Sequence, residues 1–256
     1  MIRKSDVWKS FIIVPIVLIS EAGMLIKSGV VDCPVAELFL QSIFFGNPSR
    51  TDTNVVLVMF GMFEIIIFNL LFGSYIYRDL YENTVYIFVR QKNRVAWLWK
   101  RAAGLLLYTM FFHVLYTGMI FGLCLNFSKY EMDKLAIEIF FITYVMLVLY
   151  TYWITLIINL LAIRMGETFA FIITYIGTLL LSVLAITHEK IPVLKEFPVL
   201  LKFNPVAAMA LHWENGVEEA ALHMVYFVIL IVLTLVIGSL VMQRVDIGLE
   251  NKERAN

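Results

Sequence analysis

Long apolar runs separated by short polar stretches organise the chain. Six runs are long enough to cross a bilayer: Val7–Ile26, Asn54–Tyr77, Ala102–Phe127, Leu135–Ile163, Thr168–Thr187 and Ala220–Met242. A helix rises about 1.5 Å per residue, so roughly 20 apolar residues cover the hydrocarbon core. The run from Leu135 exceeds that length, which predicts tilt or an end outside the hydrocarbon. None of the runs alternates with a period of two, as the strands of a membrane barrel do. The pattern predicts an all-α membrane protein of about six transmembrane helices. It forms one membrane domain over residues 1–256, without a linker or internal repeat. The chain has a basic start (Arg3, Lys4, Lys9) and then an apolar stretch, as in a secretion signal. The length of that run and the lack of a small-x-small cleavage site predict a retained helix.

Two further stretches are apolar but too short to span. Asp32–Phe45 carries Leu38, Phe39, Leu40, Ile43, Phe44 and Phe45, and Ile191–Leu211 carries prolines at 192, 198 and 205. The second predicts a pair of short re-entrant or interfacial helices on the outer face; an ordinary hydrophobic loop is the alternative.

Composition strengthens the membrane reading. Of 256 residues, 61% are hydrophobic and 16% charged, and the mean hydropathy is +0.84. Soluble domains sit nearer 45–50% apolar and about 25% charged. The net charge is zero, so no global bias points to nucleic acid. Most of the 20 lysines and arginines fall on one side if both termini are cytoplasmic, with the loop Arg78–Arg101 the most basic. The positive-inside rule therefore predicts an N-in, C-in topology.

Catalytic signals are missing from the sequence. It contains no G-x-x-x-x-G-K-[ST], H-E-x-x-H, G-x-S-x-G or C-x-x-C, so neither a nucleotide cradle nor a common hydrolase or redox site is expected. Cys33 and Cys124 are too few and too far apart for a metal framework. His212, Glu214 and His223 lack helical i, i+4 spacing and read as surface or packed residues, so no metal is expected.

Polar residues inside apolar runs are costly and often functional. Glu64 lies near the middle of the second run with Asn69 beyond it, and Glu21 lies near the end of the first. The fourth run carries Thr143, Tyr144, Tyr150, Thr151, Tyr152, Trp153, Thr155 and Asn159. Glu64, Asn69, His113, Tyr144, Tyr152 and Asn159 are candidates to line a substrate path. The alternative is interhelical hydrogen bonding, for instance Glu64 with His113 or a tyrosine. Gly61, Gly73 and the Gly118/Gly122 pair are candidate sites of close helix contact.

The basic loop reads RDLYENTVYIFVRQKNRVAWLWKR. On a helix, Tyr81, Val85, Phe88 and Val89 make one apolar stripe. Arg90, Lys92, Arg94, Lys100 and Arg101 follow it, and Trp97 and Trp99 suit the headgroup level. Such an amphipathic helix lies on anionic lipid or docks into a partner's groove. The segment resembles the cytoplasmic loop of type-2 ABC transporter permeases: an acidic residue, then Gly-Thr, a hydrophobic turn, a Ser/Asn-Arg pair and a Lys leading into the third span. Glu82, Thr84, Asn93-Arg94 and Lys100 fill that pattern. Asn83 stands where the family usually has Gly, and the usual Pro before the basic pair is missing. The six-span count and Phe203-Asn204-Pro205 before the last span also fit.

The resemblance implies that Leu80–Val89 is a coupling helix. Leu80, Tyr81, Glu82, Thr84, Val85, Phe88, Val89, Arg90 and Arg94 would then contact a separate ATP-binding subunit. That subunit would hold ATP and Mg, and this chain would carry no cofactor and no catalysis of its own. It further implies a second permease copy, identical or homologous, with lipids around both. The expected function is a permease subunit of an exporter in the bacterial cytoplasmic membrane, moving a peptide or other amphiphile in antimicrobial-peptide export or self-immunity. The alternative is an ATP-independent membrane immunity or signalling protein.

Overall fold

A computed structural model describes residues 32–43, 62–82, 93–188, 191–209 and 216–244. The first predicted run, Val7–Ile26, lies outside the described residues, as do the start of the second run and the basic loop from residue 83 to residue 92. All regular structure among the described residues is helical: α1 (Val35–Ser42), α2 (Phe63–Phe72), α3 (Tyr75–Glu82), α4 (Arg94–Phe127), α5 (Lys134–Met165), α6 (Glu167–Thr187), α7 (Pro192–Lys195), α8 (Pro198–Lys202), α9 (Pro205–Met209) and α10 (Gly216–Arg244). Four of them, α4, α5, α6 and α10, are long and apolar enough to cross a membrane, the arrangement expected of a multi-pass membrane protein.

The α5 helix is the axis. Its most apolar window is 78% buried inside the chain, against 22% for α6 and α10, and it packs on α4, α6 and α10 as well as α1, α2, α3 and α9. Surrounded by protein, α5 can carry polar residues that a lipid-facing helix cannot.

Local chemistry sets where the helices begin. The Asn93 side chain accepts from Ala96 N–H at 3.0 Å, so α4 starts at Arg94, ahead of the predicted Ala102. At about 1.5 Å per residue its 34 residues run roughly 51 Å, well beyond the hydrocarbon core, so its first turns or its last lie outside. Within the early turns Trp97 is buried while Trp99 is exposed; only Trp99 fits the predicted headgroup position, and its Nε1 donates to Ser239 Oγ at 3.2 Å. Asp133 caps α5 through Ala136 N–H at 2.8 Å. A single residue, Gly166, joins α5 to α6 at φ 85 and ψ 164, a conformation essentially reserved for glycine.

The second predicted run, where described, breaks. The α2 helix ends at Phe72, two residues turn, and α3 resumes at Tyr75. A Cβ on Gly73 would run into the Asn69 carbonyl and the Phe171 ring, so the close approach at the break admits only glycine. The α3 helix then continues to Glu82. Leu80, Tyr81 and Glu82 lie on the helix that begins at Tyr75, and Glu82 is the last described residue before the basic loop. Ile76 and Leu80, one turn apart, are both buried and hold α3 to the bundle.

At the opposite end of the bundle α1 is a short wedge. Phe39 is fully buried and meets Phe121 edge-on at 5.4 Å and Phe140 at 5.8 Å, filling the gap between α4 and α5. The Ile191–Leu211 stretch, described as far as Met209, holds three short helices instead of a pair. Each opens on one of the three prolines, whose fixed φ suits a first helical position.

Candidate functional site

A polar seam runs along the inner face of α5. Thr151, Thr155 and Asn159 recur every fourth residue, so they share one helix face. Thr109, His113 and Thr117 on α4 and Thr174, Thr178 and Ser182 on α6 repeat the spacing, and all nine are buried. Most of the hydroxyls satisfy themselves on their own helix. Thr109 donates to Leu105 O at 3.0 Å, Thr117 to His113 O at 2.6 Å, Thr174 to Ala170 O at 2.8 Å, Thr178 to Thr174 O at 2.9 Å and Ser182 to Thr178 O at 2.8 Å. Back-bonding of this kind lets hydroxyls sit in an apolar bundle.

Other bonds cross between helices. His113 Nδ1 lies 3.0 Å from Thr109 O, a pure acceptor. In a neutral imidazole this puts the proton on Nδ1, leaving Nε2 to accept from Thr151 Oγ1 at 3.0 Å. The Thr155 hydroxyl proton is shared between Thr151 O at 2.6 Å and Asn69 Oδ1 at 2.7 Å, a three-centre contact. Asn69 returns its amide to Ile65 O at 2.9 Å. Asn159 donates to Thr155 O at 2.8 Å while its Oδ1 accepts from Ile76 N at 2.7 Å and Tyr77 N at 3.2 Å. Those N–H groups belong to the first turn of α3, which has no partner within its own helix. A side chain of α5 thus caps α3. Glu64, fully buried on α2, lies within electrostatic reach of Tyr150 and Tyr175.

Of the six predicted path residues, Glu64, Asn69, His113 and Asn159 meet along this seam. Tyr144 and Tyr152 instead donate to α4 carbonyls, Met110 O at 3.3 Å and Ala102 O at 3.0 Å, and brace α4 against α5. Sequence reading missed the α4 and α6 hydroxyl stripes, although their i, i+4 recurrence is visible. A Cβ at Gly118 or Gly122 would meet nothing within 4 Å among the described residues, whereas Gly238 fits closely against Leu160 and Leu98.

The second part of the site lies along α3. Arg78 Nη2 pairs with Glu167 Oε1 of α6 at 2.7 Å, and Arg101 Nε of α4 pairs with Asp79 Oδ2 at 2.7 Å. The ring centroids of Tyr77 and Tyr81 are 4.6 Å apart. Arg94 stands at the head of α4. The remaining predicted coupling residues, Thr84, Val85, Phe88, Val89 and Arg90, lie outside the described residues, as do His212 and Glu214. Among the described residues no group of three His, Cys, Asp or Glu is placed to hold a metal; Cys33 and Cys124 are free thiols.

No family model, curated protein or solved structure matches the chain.

Proposed function

We propose that this chain is the membrane permease subunit of an ATP-binding-cassette exporter in a bacterial cytoplasmic membrane. It crosses about six times with both termini inside and pairs with a second permease. A separate subunit binds ATP and Mg. The substrate is a peptide or another amphiphile, exported or expelled for self-protection. The observation that carries this reading is the placement of α3. Its first turn is capped by Asn159 in the seam, and its body is ion-paired to α4 and α6. Its last residues enter the basic, apolar-striped loop. Motion imposed on that loop by a nucleotide-driven partner is carried by α3, pivoting at Gly73, into the polar seam, a rigid-body transmission of the hinge type.

Charged substitutions at Tyr81, Val85 or Val89 test the reading: each is expected to abolish transport while the partner keeps hydrolysing ATP. Normal transport in all three variants contradicts docking through this stripe. The competing reading is an ATP-independent immunity or signalling protein, whose basic loop would hold anionic headgroups instead of a partner subunit. That reading predicts full function without any ATPase.

A further inference from the structure

The segment between α6 and α10 exposes more large apolar surface than an aqueous loop sustains. Ile191, Val193, Phe197, Val199, Leu200 and Phe203 are 42–64% exposed, a concentration of exposed apolar side chains in one short segment of the kind that marks a contact surface. The backbone that carries them is bonded to α6 and α10 at Phe197, Phe203 and Asn204. His188 Nε2 lies 3.3 Å from Phe197 O, Asn204 Nδ2 donates to Leu181 O at 2.7 Å, and Tyr226 Oη donates to Phe203 O at 2.8 Å. Asn204 also caps α9 through Val206 N at 2.9 Å, and Val206, Ala208 and Met209 are buried. One half of the segment is therefore plugged into the bundle and the other half is held outward.

We propose that α7 and α8 form an interfacial anchor that inserts into the phospholipid leaflet in which α6 ends and α10 begins. Three observations select lipid as the occupant. The neighbouring helices expose apolar side chains too: Ile176 and Leu180 of α6 and Leu222 and Val225 of α10 are 53–69% exposed on helices of membrane-crossing length. The α7 and α8 helices, of four and five residues, are too short to cross, which leaves a position along the surface. Exposed Glu196 and Lys202 interrupt the apolar side chains, as suits a boundary where acyl chains and headgroups alternate and a lysine can reach a phosphate. The anchor fixes the depth of the α6–α10 connection and is independent of the exporter reading.

Photolabelling tests this on the native chain. The protein is reconstituted in phosphatidylcholine–phosphatidylglycerol liposomes containing a phospholipid with a diazirine on its acyl chain, illuminated, and mapped by mass spectrometry. Label on residues 193–203, together with the outer faces of α6 and α10, is expected. Label on α6 and α10 with none on 193–203 overturns the proposal. Nitroxides at Val193→Cys, Val199→Cys and Phe203→Cys, in a Cys33→Ser, Cys124→Ala background, then identify the surroundings. Relaxation by oxygen above that by a water-soluble nickel chelate, as at Ile176→Cys, is the predicted pattern. Dominance of the chelate means an aqueous loop. Shielding from both means a protein cover, such as a second copy. Either result overturns lipid insertion.

Discussion

The carboxamide of Asn159 touches three pieces of backbone at once: Thr155 O on its own helix and the N–H groups of Ile76 and Tyr77 in the first turn of α3. Leucine at this position matches the volume and deletes all three bonds, leaving buried donors unsatisfied at about 1–3 kcal/mol each. Asn159→Leu is therefore expected to lower the thermal midpoint in mild detergent markedly. Thr155→Val, which removes one shared hydroxyl, is expected to cost about 0.6 kcal/mol, the usual scale of an interhelical bond in membranes. Equal midpoints for the two variants contradict the capping role. Cys33 permits a pH test at the other end of the bundle. Burial, then the neighbouring Glu37 carboxylate, push its thiol above the ordinary value of 9.0. Both disfavour the thiolate, so at neutral pH its alkylation is slow and reactivity rises only as pH passes the raised value. In a Cys124→Ala background, the maleimide rate is expected to reach its half-maximum at higher pH than an unstructured peptide cysteine, and Glu37→Gln is expected to bring it part of the way back. A midpoint at or below the peptide's contradicts the assignment.

At the scale of elements, α3 is a separate rod between a glycine break and two ion pairs. Arg101 and Asp79 are 24% and 18% exposed, sheltered enough for their pairing to register. Asp79→Arg and Arg101→Asp are each expected to destabilise the protein, and the double exchange to recover most of the loss. A double variant no better than the sum of the singles places no coupling between α3 and α4. The Arg78–Glu167 pair, more than half exposed on the arginine side, is expected to contribute little to stability. Hydropathy made α4, α5, α6 and α10 legible, because membrane-length apolar runs have few alternatives. It did not show the α2–α3 break, since Gly73 sits in a run as apolar as its neighbours and the Phe171 ring that leaves no room for a side chain there is far away in sequence. The early start of α4 was readable in principle from Asn93, a standard capping residue, but charge masked it. Glu64, Asn69, His113 and Asn159 stood out as polar residues in apolar runs. Thr109, Thr117 and the α6 stripe did not, because a threonine reads as nearly apolar until its four-residue spacing is counted.

At the scale of the whole molecule, the described helices pack around α5, a buried apolar helix that carries a polar seam; under the proposed function that seam is what a lever at α3 would rearrange. The sequence contributes no phosphate-binding loop, so in this account the energy for rearrangement comes from outside the chain, through the basic loop at the end of α3. The most direct measurement is purification of the tagged chain in mild detergent from its own host, with identification of copurifying proteins and an ATP hydrolysis assay on the product. The account predicts stoichiometric recovery of a P-loop ATPase and hydrolysis that the Tyr81, Val85 and Val89 charge variants uncouple from transport. Recovery of the chain without an ATPase and without hydrolysis, repeated across several detergents, contradicts it and leaves the ATP-independent membrane protein in its place.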